Sequence, residues 1–379
     1  MSTRVLHLID APDSGWSAFD ALSALVSAPD PALTHTVALL GGAEADRLAH
    51  RSGLRCDVRI APPLGRSMLA SPRLRSLLRA IDDHDVVHAW SPEALALGRM
   101  VCPRVPQCAT LSVLPSHCPW SLRRLATLRA ARAASRLMAT SQFVLDAWES
   151  ALRGRPSRAH STRLPLPIDV PTSDPAARAA VRARWGVRDD VIVVLAVGEP
   201  EERIDARWFT FRAGVLAVAG IPAAVVVPSR SDGLERALRY TERHHHAWPV
   251  FVDDAPLTTL IPGCDFALWH AGPRNAPTEV SGAHGLALCA AAGMPCVAED
   301  HPLSREVAQT MSDVRIVPRA DSVAAGRALF ETVESLRSAP LRVPAAESNI
   351  DEWRRRMSRQ LLSAAGSDAP LPLATPSPA

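Results

Sequence analysis

The sequence predicts an α/β protein in which two doubly wound parallel-sheet domains face each other across a cleft. Short apolar runs alternate with helix-length segments along the chain, which is the pattern of parallel strands joined by helices. The chain has 379 residues, which suits two domains of roughly 150 to 200 residues better than one. A proline-rich stretch at 163–175, RLPLPIDVPTSDP, interrupts the alternation and predicts a boundary.

The apolar runs have the length and composition of buried strands. In the first half they fall at 4–9, 35–40, 56–60, 85–90, 107–112 and 136–141. In the second half they fall at 191–198, 223–228, 249–252, 264–270, 295–298 and 314–318. Helical segments fill the gaps, and the first is expected at 17–28, after a loop that contains Gly15.

The composition is that of a globular protein that folds without disulfides or metal, with 47% hydrophobic and 21% charged residues. A net charge of +3 and an aromatic content of 4% argue against a nucleic-acid binder, which carries a basic face and stacking aromatics. Every Lys/Arg position is arginine, whose planar guanidinium suits phosphates and carboxylates. A GC-rich coding sequence is the simpler explanation of that bias.

The seven cysteines form no Cys-x-x-Cys pair and no zinc-site spacing. We therefore expect reduced, mostly buried thiols, no metal and no other cofactor. The N-terminal apolar run is too short for a signal peptide, and no run approaches the ~20 apolar residues of a membrane span. The sequence thus predicts a cytoplasmic protein, at most peripheral at the inner face of a membrane.

Several segments occur in a characteristic order and spacing. They are RVLHLIDAPDSGWSAFDALSAL, RSLLRAIDDHDVVHAWSPEALALG, SRLMATSQFVLDAW, RLPLPIDV, VLAVGEP, IPGCDFALWHAGP and TEVSGAHGLALCAAAGMPCVAED. In this order they resemble the GT-B glycosyltransferases of family 4, the group 1 type, over nearly all of residues 4–364. The resemblance implies transfer of a sugar from a nucleotide diphosphate to an acceptor, with retention of configuration.

The resemblance also implies a domain organisation. Residues 1–168 would form an N-terminal Rossmann-like domain on the acceptor side, and 169–347 a C-terminal Rossmann-like domain on the nucleotide-sugar side. A C-terminal helix at 348–364 would cross back to the N-terminal domain, before a disordered tail at 365–379.

Cleavage of a sugar–diphosphate bond leaves negative charge on the diphosphate. Cations or backbone N–H groups must meet that charge, and carboxylates must hold the sugar hydroxyls. In relatives, a glycine in the first strand–helix turn lets the chain approach the phosphates. Gly15 fits that role, although Trp16 stands beside it where the family has a second glycine. A glycine that simply ends the loop is an equal alternative.

The family's catalytic histidine after the strand QCATLS is replaced by Ser112. His117 is close enough in the sequence to take its place, and it is the candidate catalytic histidine. A solvated loop histidine without a catalytic role is the alternative.

The family's phosphate-binding arginine and lysine are also replaced. Glu199 follows Val197-Gly198 where the arginine is expected, and the lysine position falls on Ile204 or Asp205. A carboxylate that faces a diphosphate at ~5 Å costs several kcal/mol. Arg203 or Arg207 are possible substitutes. Solvent-facing ion pairs with the acidic residues at 201–202 are the alternative.

The family's two glutamates, eight positions apart, fall on Val280 and Leu288. Glu279 lies one position early and is the candidate for the contact with the sugar. The small residues that follow precede a helix and offer backbone N–H groups to an anion. They make Ser281, Gly282, His284 and Gly285 donor-binding candidates, beside Gly15 and Arg203. A tight turn into a buried helix is the alternative.

The segment at 120–141 carries five arginines among leucines, at 123, 124, 129, 132 and 136. This basic amphipathic pattern suggests contact with an anionic membrane. A solvated helix that packs its leucines onto the first sheet is the alternative.

Two histidine-containing segments, 82–90 and 244–246, bring possible metal ligands together. Strand alternation separates Asp85 from His88, and three consecutive helical histidines point in different directions. We expect no metal site at either segment.

The sequence therefore supports two hypotheses. One is a family 4-like glycosyltransferase that uses a nucleotide-diphosphate sugar, with Glu279 and His117 in catalytic roles. The other is an inactive GT-B homologue that binds a sugar, a nucleotide or a protein.

Overall fold

The computed structural model describes residues 2–28, 30–41, 43–54, 58–60, 84–115, 122–153, 160–171, 174–199, 204–244, 248–272, 283–319, 321–338, 344 and 347–366. Its strands are β1 Thr3–Asp10, β2 Leu33–Leu40, β3 Val58–Ile60, β4 Val86–Ala89, β5 Gln107–Leu111, β6 Arg136–Ala139, β7 His160–Arg163, β8 Ile192–Gly198, β9 Ala223–Val227, β10 Val250–Val252, β11 Phe266–His270, β12 Cys296–Glu299 and β13 Val314–Val317. Its helices are α1 Ala11–Ser27, α2 Ala43–Arg51, α3 Pro92–Val101, α4 Leu122–Ala133, α5 Gln142–Leu152, α6 Pro175–Trp185, α7 Ala206–Val218, α8 Leu234–Arg243, α9 Leu257–Leu260, α10 His284–Ala291, α11 Pro302–Ala308, α12 Ser322–Ser338 and α13 Ile350–Ala364, with a 3₁₀ turn at Ile261–Gly263.

The strands form two parallel sheets, as the alternating sequence predicts. The first has the order β3-β2-β1-β4-β5-β6-β7, and the second β10-β9-β8-β11-β12-β13. In each sheet the strand order begins near the middle, runs to one edge and then resumes on the other side of the first strand. The reversal of strand order falls between β1 and β4 in the first sheet and between β8 and β11 in the second. This is the doubly wound order of Rossmann-like domains, so the predicted fold class is confirmed.

Apolar layers cover both faces of the first sheet, because strand residues alternate between the two faces. Leu6 and Leu8 of β1 face one layer, whereas Val5 and Ile9 face the other. The second layer also receives large side chains from two helices: Phe19, Leu22 and Leu25 of α1, and Trp353, Met357 and Leu361 of α13. Helix α13 thus follows the second sheet in the chain but packs on the first.

The elements that follow the strands of one sheet contact those of the other. Gln142, after β6, donates its backbone N–H to the Glu306 carboxylate of α11 at 3.1 Å. Arg163, at the end of β7, lies 2.8 Å from the same carboxylate. The rings of Phe143 and His301 meet edge to face, with centroids 5.4 Å apart. Because these residues all lie at or beyond the carboxyl ends of strands, the carboxyl edges of the two sheets face each other.

One local prediction was wrong, and one strand was not predicted. Helix α1 begins at Ala11 rather than at 17, since Pro12 fits the first turn of a helix, where its missing N–H is not needed. Gly15 therefore lies inside α1 and not in a loop. Strand β7 was not predicted, because its HSTR sequence carries no large apolar side chain and forms the edge of the sheet.

The basic segment at 120–141 divides between α4 and β6. Arg136 belongs to β6, and its guanidinium donates to the Ser363 hydroxyl of α13 at 2.5 Å. Leu125 is exposed, whereas Ala130 and Ala131 are buried. In the described part of the chain, no helix is both long and apolar enough to span a membrane.

Candidate functional site

In the second sheet the strand order reverses between β8 and β11. Ligands of open α/β sheets bind at such switch points. Gly198 ends β8 and His270 ends β11. The backbone N–H of Glu199 donates to the His270 carbonyl at 3.1 Å. A Cβ on Gly198 would lie 2.7 Å from that carbonyl oxygen. The switch point therefore needs a glycine because two backbones approach closely.

Glu199 turns its carboxylate onto the start of α10. Its Oε1 accepts a hydrogen bond from the Ala283 N–H at 2.9 Å, and the residue is 1% exposed. Ala283 precedes the helix with a left-handed φ of 56°. A carboxylate is favourable there, because the first amides of a helix carry partial positive charge. The Glu199 side chain thus occupies a backbone N–H donor at the start of α10.

A second buried carboxylate, Glu299 at the end of β12, gathers the polar groups beside the switch point. Its Oε1 accepts from the Trp208 indole N–H at 3.1 Å. Its Oε2 lies 3.5 Å from His270 Nε2 and 3.6 Å from Arg319 Nε. Arg319 also donates to the Gly272 carbonyl. Glu299 is 3% exposed, so these neighbours, rather than water, stabilise its negative charge.

His270 is neutral at pH 7. Burial, and next the positive charge of Arg319, lower its pKa from 6.5 to about 4. Its Nδ1 accepts from the Gly272 N–H at 3.0 Å, so the ring proton lies on Nε2 and points toward Glu299. The imidazole therefore turns its N–H side toward the carboxylate and adds no positive charge to the site.

Arg212 of α7 lies over the ring of Trp208. Its guanidinium carbon is 3.5 Å from the centroid of the Trp208 ring, the geometry of a cation–π contact. Burial lowers its pKa from 12.5 to about 10, against the opposing effect of Glu299. It remains charged at pH 7 and counterbalances one of the two glutamates.

Asp205, at one of the two possible lysine positions, has a structural role. It caps α7 by accepting from the Arg207 N–H at 3.1 Å, and it binds the Arg207 guanidinium through both oxygens. The pairing raises the pKa of Arg207. Ile204 is buried. Arg207 is therefore engaged locally with Asp205, while residues 201–202 lie outside the described part of the chain.

Only some of the predicted site residues lie in the described part of the structure. His284 and Gly285 open α10, directly after Ala283 and next to the Glu199 carboxylate. Leu288 is buried in the same helix, and Ser112 is buried beyond β5. The predicted residues His117, Arg203, Glu279, Ser281 and Gly282 lie outside the described residues.

Sequence reasoning missed His270, Glu299 and Arg319. A signal was available, because each is polar and stands at or just beyond the end of an apolar strand. In a doubly wound sheet these positions converge on the ligand-binding edge.

A separate cluster of polar side chains lies on one face of the first sheet, in the layer that α1 and α13 cover. His7 Nε2 is 2.9 Å from His35 Nδ1, and His7 Nδ1 is 3.1 Å from His88 Nδ1. His88 Nε2 contacts the Thr110 hydroxyl at 2.9 Å. The Trp90 indole donates to His7 Nδ1 at 3.4 Å, which makes that nitrogen an acceptor and places the His7 proton on Nε2. Three imidazoles thus form a continuous hydrogen-bonded row across neighbouring strands.

Burial keeps this row uncharged. It is the largest cause that lowers the pKa of His7, His35 and His88, and that of His88 falls to about 3. Among the described residues, no group of three or more His, Cys, Asp or Glu side chains is arranged to hold a metal ion.

Neither a protein-family profile nor a curated protein matches the sequence. Solved structures do match over nearly the whole chain. HepE from Anabaena, in complex with UDP and glucose, superposes with a TM-score of 0.70 at 15% identity, covering 95% of this chain and 100% of that one. The chain has the GT-B fold. A putative UDP-N-acetylglucosamine 2-epimerase from Listeria monocytogenes is similar to this GT-B chain with a TM-score of 0.61 at 11% identity, over 99% of this chain and 100% of that one.

A glycosyltransferase from Rickettsia africae gives a TM-score of 0.58 at 13% identity, over 96% of each chain. At such identities the likeness extends to the GT-B fold alone. It confirms the architecture implied by the sequence motifs, and membership of family 4 stays a prediction.

Proposed function

We propose that this GT-B protein binds a nucleotide-diphosphate sugar in the cleft and transfers the sugar to an acceptor. The observation that carries the proposal is the convergence of β8, β11 and the start of α10 at one switch point. Open α/β sheets bind ligands at such a place. HepE, which has a similar fold, has been crystallised with UDP and with UDP-glucose.

The proposed donor contacts combine backbone and side-chain groups. The amides of residues 281–285, ahead of and within the first turn of α10, suit a phosphate. Arg203 is the proposed partner of the diphosphate, Glu279 that of the sugar, and His117 the catalytic histidine. Gly15, now placed in α1, is the proposed phosphate contact from the first sheet. Transfer with retention is part of the same proposal.

A second candidate is a GT-B protein that binds such a ligand, or a protein, without transfer. Glu199 is the observation that favours it, because its buried carboxylate already accepts from Ala283 at the start of α10. One negative charge of a diphosphate and a carboxylate about 5 Å away repel each other by ~3 kcal/mol at an effective dielectric constant of about 20.

The test is a panel of uridine-, guanosine- and adenosine-diphosphate sugars at millimolar concentration. Transfer predicts that one donor raises the melting temperature and is hydrolysed or consumed with an added acceptor. Binding without turnover would assign the second candidate. A panel without any thermal shift or turnover would contradict both nucleotide-sugar roles and leave protein binding alone.

A further inference from the structure

The chain passes between the two sheets twice, and the two crossing segments meet. The first, 164–171, runs from β7 toward α6, and the second enters α13 through 347–349. The Ile168 N–H donates to Asn349 Oδ1 at 2.8 Å, and the Asn349 N–H donates to the Ile168 carbonyl at 3.1 Å. The Ser348 hydroxyl donates to the same carbonyl at 3.2 Å. These three bonds, the crossing contact, tie together two segments that lie far apart in the sequence.

The crossing contact lies where the chain leaves the first sheet for the second. Leu164 and Leu166 of the first crossing segment are buried in the apolar layer that also holds Trp353 of α13. Beyond the contact this segment leads to α6, where Arg182 pairs with Asp265 at 3.2 Å, just before β11 of the second sheet. Rotation of one sheet relative to the other is therefore taken up close to the crossing contact.

Asn349 is also the N-cap residue of α13, a position where an asparagine side chain ordinarily accepts from the first turn of its own helix. The Asn349 side chain makes no such bond to α13, a helix that the structure describes over its full length. Its ψ is 14°. Three N-cap residues whose side chains do accept from their own helices, Ser91, Ser141 and His301, have ψ of 160°, 163° and 151°. The Asn349 side chain therefore serves the crossing contact in place of the helix cap.

A second contact holds the two sheets together beside the first. Glu306 of α11 accepts from the Gln142 N–H on both oxygens at 3.1 Å, and it lies 2.8 Å from Arg163. Arg163 ends β7 and directly precedes the first crossing segment. The Glu306 side chain is only 16% exposed, so water screens this ion pair incompletely. Separation of the carboxyl edges breaks these bonds and moves the segment that carries Ile168.

We propose that Asn349 is a two-state hinge residue that sets how easily the two sheets separate. In the closed state its side chain holds the crossing contact. In the open state its ψ turns to the extended value of the other N-cap residues, and the same side chain accepts from the first turn of α13. One hydrogen bond then replaces another, so opening costs less than loss of the crossing contact alone.

The position of Asn349 fits this role, because hinges are formed by a few residues at the ends of elements that absorb a change in φ and ψ. The hinge lies outside the proposed donor site. Its two states differ without any ligand, so the inference does not depend on the proposed transfer reaction.

Hydrogen exchange of the ligand-free protein, measured by mass spectrometry on peptides that cover 164–171 and the first turn of α13, tests the proposal. Glu306→Gln should favour the open state, because the ion pair with Arg163 becomes a neutral contact. We expect exchange in 164–171 to increase about tenfold. Exchange at the start of α13 should stay unchanged or become slower, because Asn349 then caps the helix. Small-angle X-ray scattering should show a larger radius of gyration.

Asn349→Ser separates the two roles of the side chain. Serine is as good an N-cap residue as asparagine, but its hydroxyl lies one bond closer to the backbone and does not reach the Ile168 N–H. Exchange in 164–171 should increase, whereas the start of α13 should be protected at least as well as in the wild type. Asn349→Ala loses both roles, and exchange should increase in both peptides.

Two exposed positions of the part built on the second sheet supply matched controls. Glu334→Gln removes a charge from α12 outside the contact with the first sheet. Asp321→Ala removes the bonds that Asp321 accepts from the Val323 and Ala324 N–H groups at the start of α12, at 3.0 and 2.9 Å. Both should leave exchange in 164–171 unchanged.

Two results overturn the proposal. Equal increases at 164–171 and at the start of α13 in Glu306→Gln would show that the released Asn349 side chain does not cap the helix. Unchanged exchange at 164–171 in both Glu306→Gln and Asn349→Ser would show that the crossing contact does not control separation of the sheets.

Discussion

Glu199 shows how one residue changes the chemistry expected at a site. It stands where the resemblance to family 4 glycosyltransferases implies a phosphate-binding arginine, and its buried carboxylate accepts from the amide at the start of α10. Its contact stabilises the helix start and at the same time opposes an anion there.

Glu199→Gln should tighten binding of a nucleoside diphosphate by about tenfold or more. The amide still accepts from Ala283 but no longer repels phosphate, and even half of ~3 kcal/mol is more than a factor of ten. Calorimetry with UDP measures the change. Glu235→Gln, at an exposed side chain of α8, is the control. Equal UDP affinity of wild type and Glu199→Gln would show that the carboxylate does not compete with the ligand.

The row of His35, His7 and His88 in the first sheet predicts that the free energy of unfolding falls at acid pH. The folded-state pKa values of His7, His35 and His88 lie below the ordinary value of 6.5. The unfolded chain therefore takes up protons that the folded chain excludes as the pH falls. Stability that is complete above about pH 6.5 is lost progressively toward pH 3.

His88→Gln should make the fall in unfolding free energy between pH 6.5 and 4.5 shallower, by up to about 1.4 kcal/mol per pH unit for one fewer titrating group. Urea denaturation at several pH values measures the slope. The control is His244→Gln, at the exposed end of α8. The same slope in His88→Gln and wild type would contradict the neutral, buried state of the row.

At the scale of elements, the ends of β8 and β11 position the candidate site. Gly198 permits the close approach that brings Glu199 beside His270, since a side chain would meet the His270 carbonyl at 2.7 Å and Ile204 at 2.9 Å. The requirement is steric, because the backbone there is not in the left-handed region.

Gly198→Ala should destabilise the protein by about 1–3 kcal/mol, the usual cost of forcing extra volume into a packed region. Gly326→Ala, inside α12 and with open space where its Cβ would lie, should be neutral or stabilising by up to ~1 kcal/mol. Chemical denaturation compares the two. A neutral Gly198→Ala would mean that β8 and β11 can separate without cost.

At the scale of the whole molecule, α13 links the end of the chain to the first sheet. Trp353, Met357 and Leu361 are buried in the layer that also holds Val5 and Ile9 of β1. The second sheet lies between these segments in the sequence, so this apolar layer of the first sheet includes a helix that follows the whole second sheet along the chain.

Leu361→Ala should lower the free energy of unfolding by about 2–5 kcal/mol, the range for a buried leucine. Hydrogen exchange should increase in β1, β4 and β5 and remain unchanged in β8 and β9. Val323→Ala, at an exposed side chain of α12, should stay within about 0.5 kcal/mol. Equal exchange increases in both sheets would show that α13 does not act on the first sheet specifically.

The alternation of apolar runs and helical segments was enough to predict most of the strands and the doubly wound fold class; the domain boundary near the prolines stays a prediction. These depend on local patterns of apolar residues, which repeat in the chain. Strand β7 and the start of α1 escaped prediction, because one lacks apolar residues and the other depends on a proline that suits a first turn as well as a loop.

The partners of the polar residues became known only from the three-dimensional structure. The sequence placed Glu199 at the wrong position for a diphosphate, but not on the Ala283 amide, which lies far along the chain. The row of His35, His7 and His88 and the cluster around Glu299 depend on which strands become neighbours. Hydrogen bonds act over about 3 Å, so partners distant in sequence meet only after the sheets have formed.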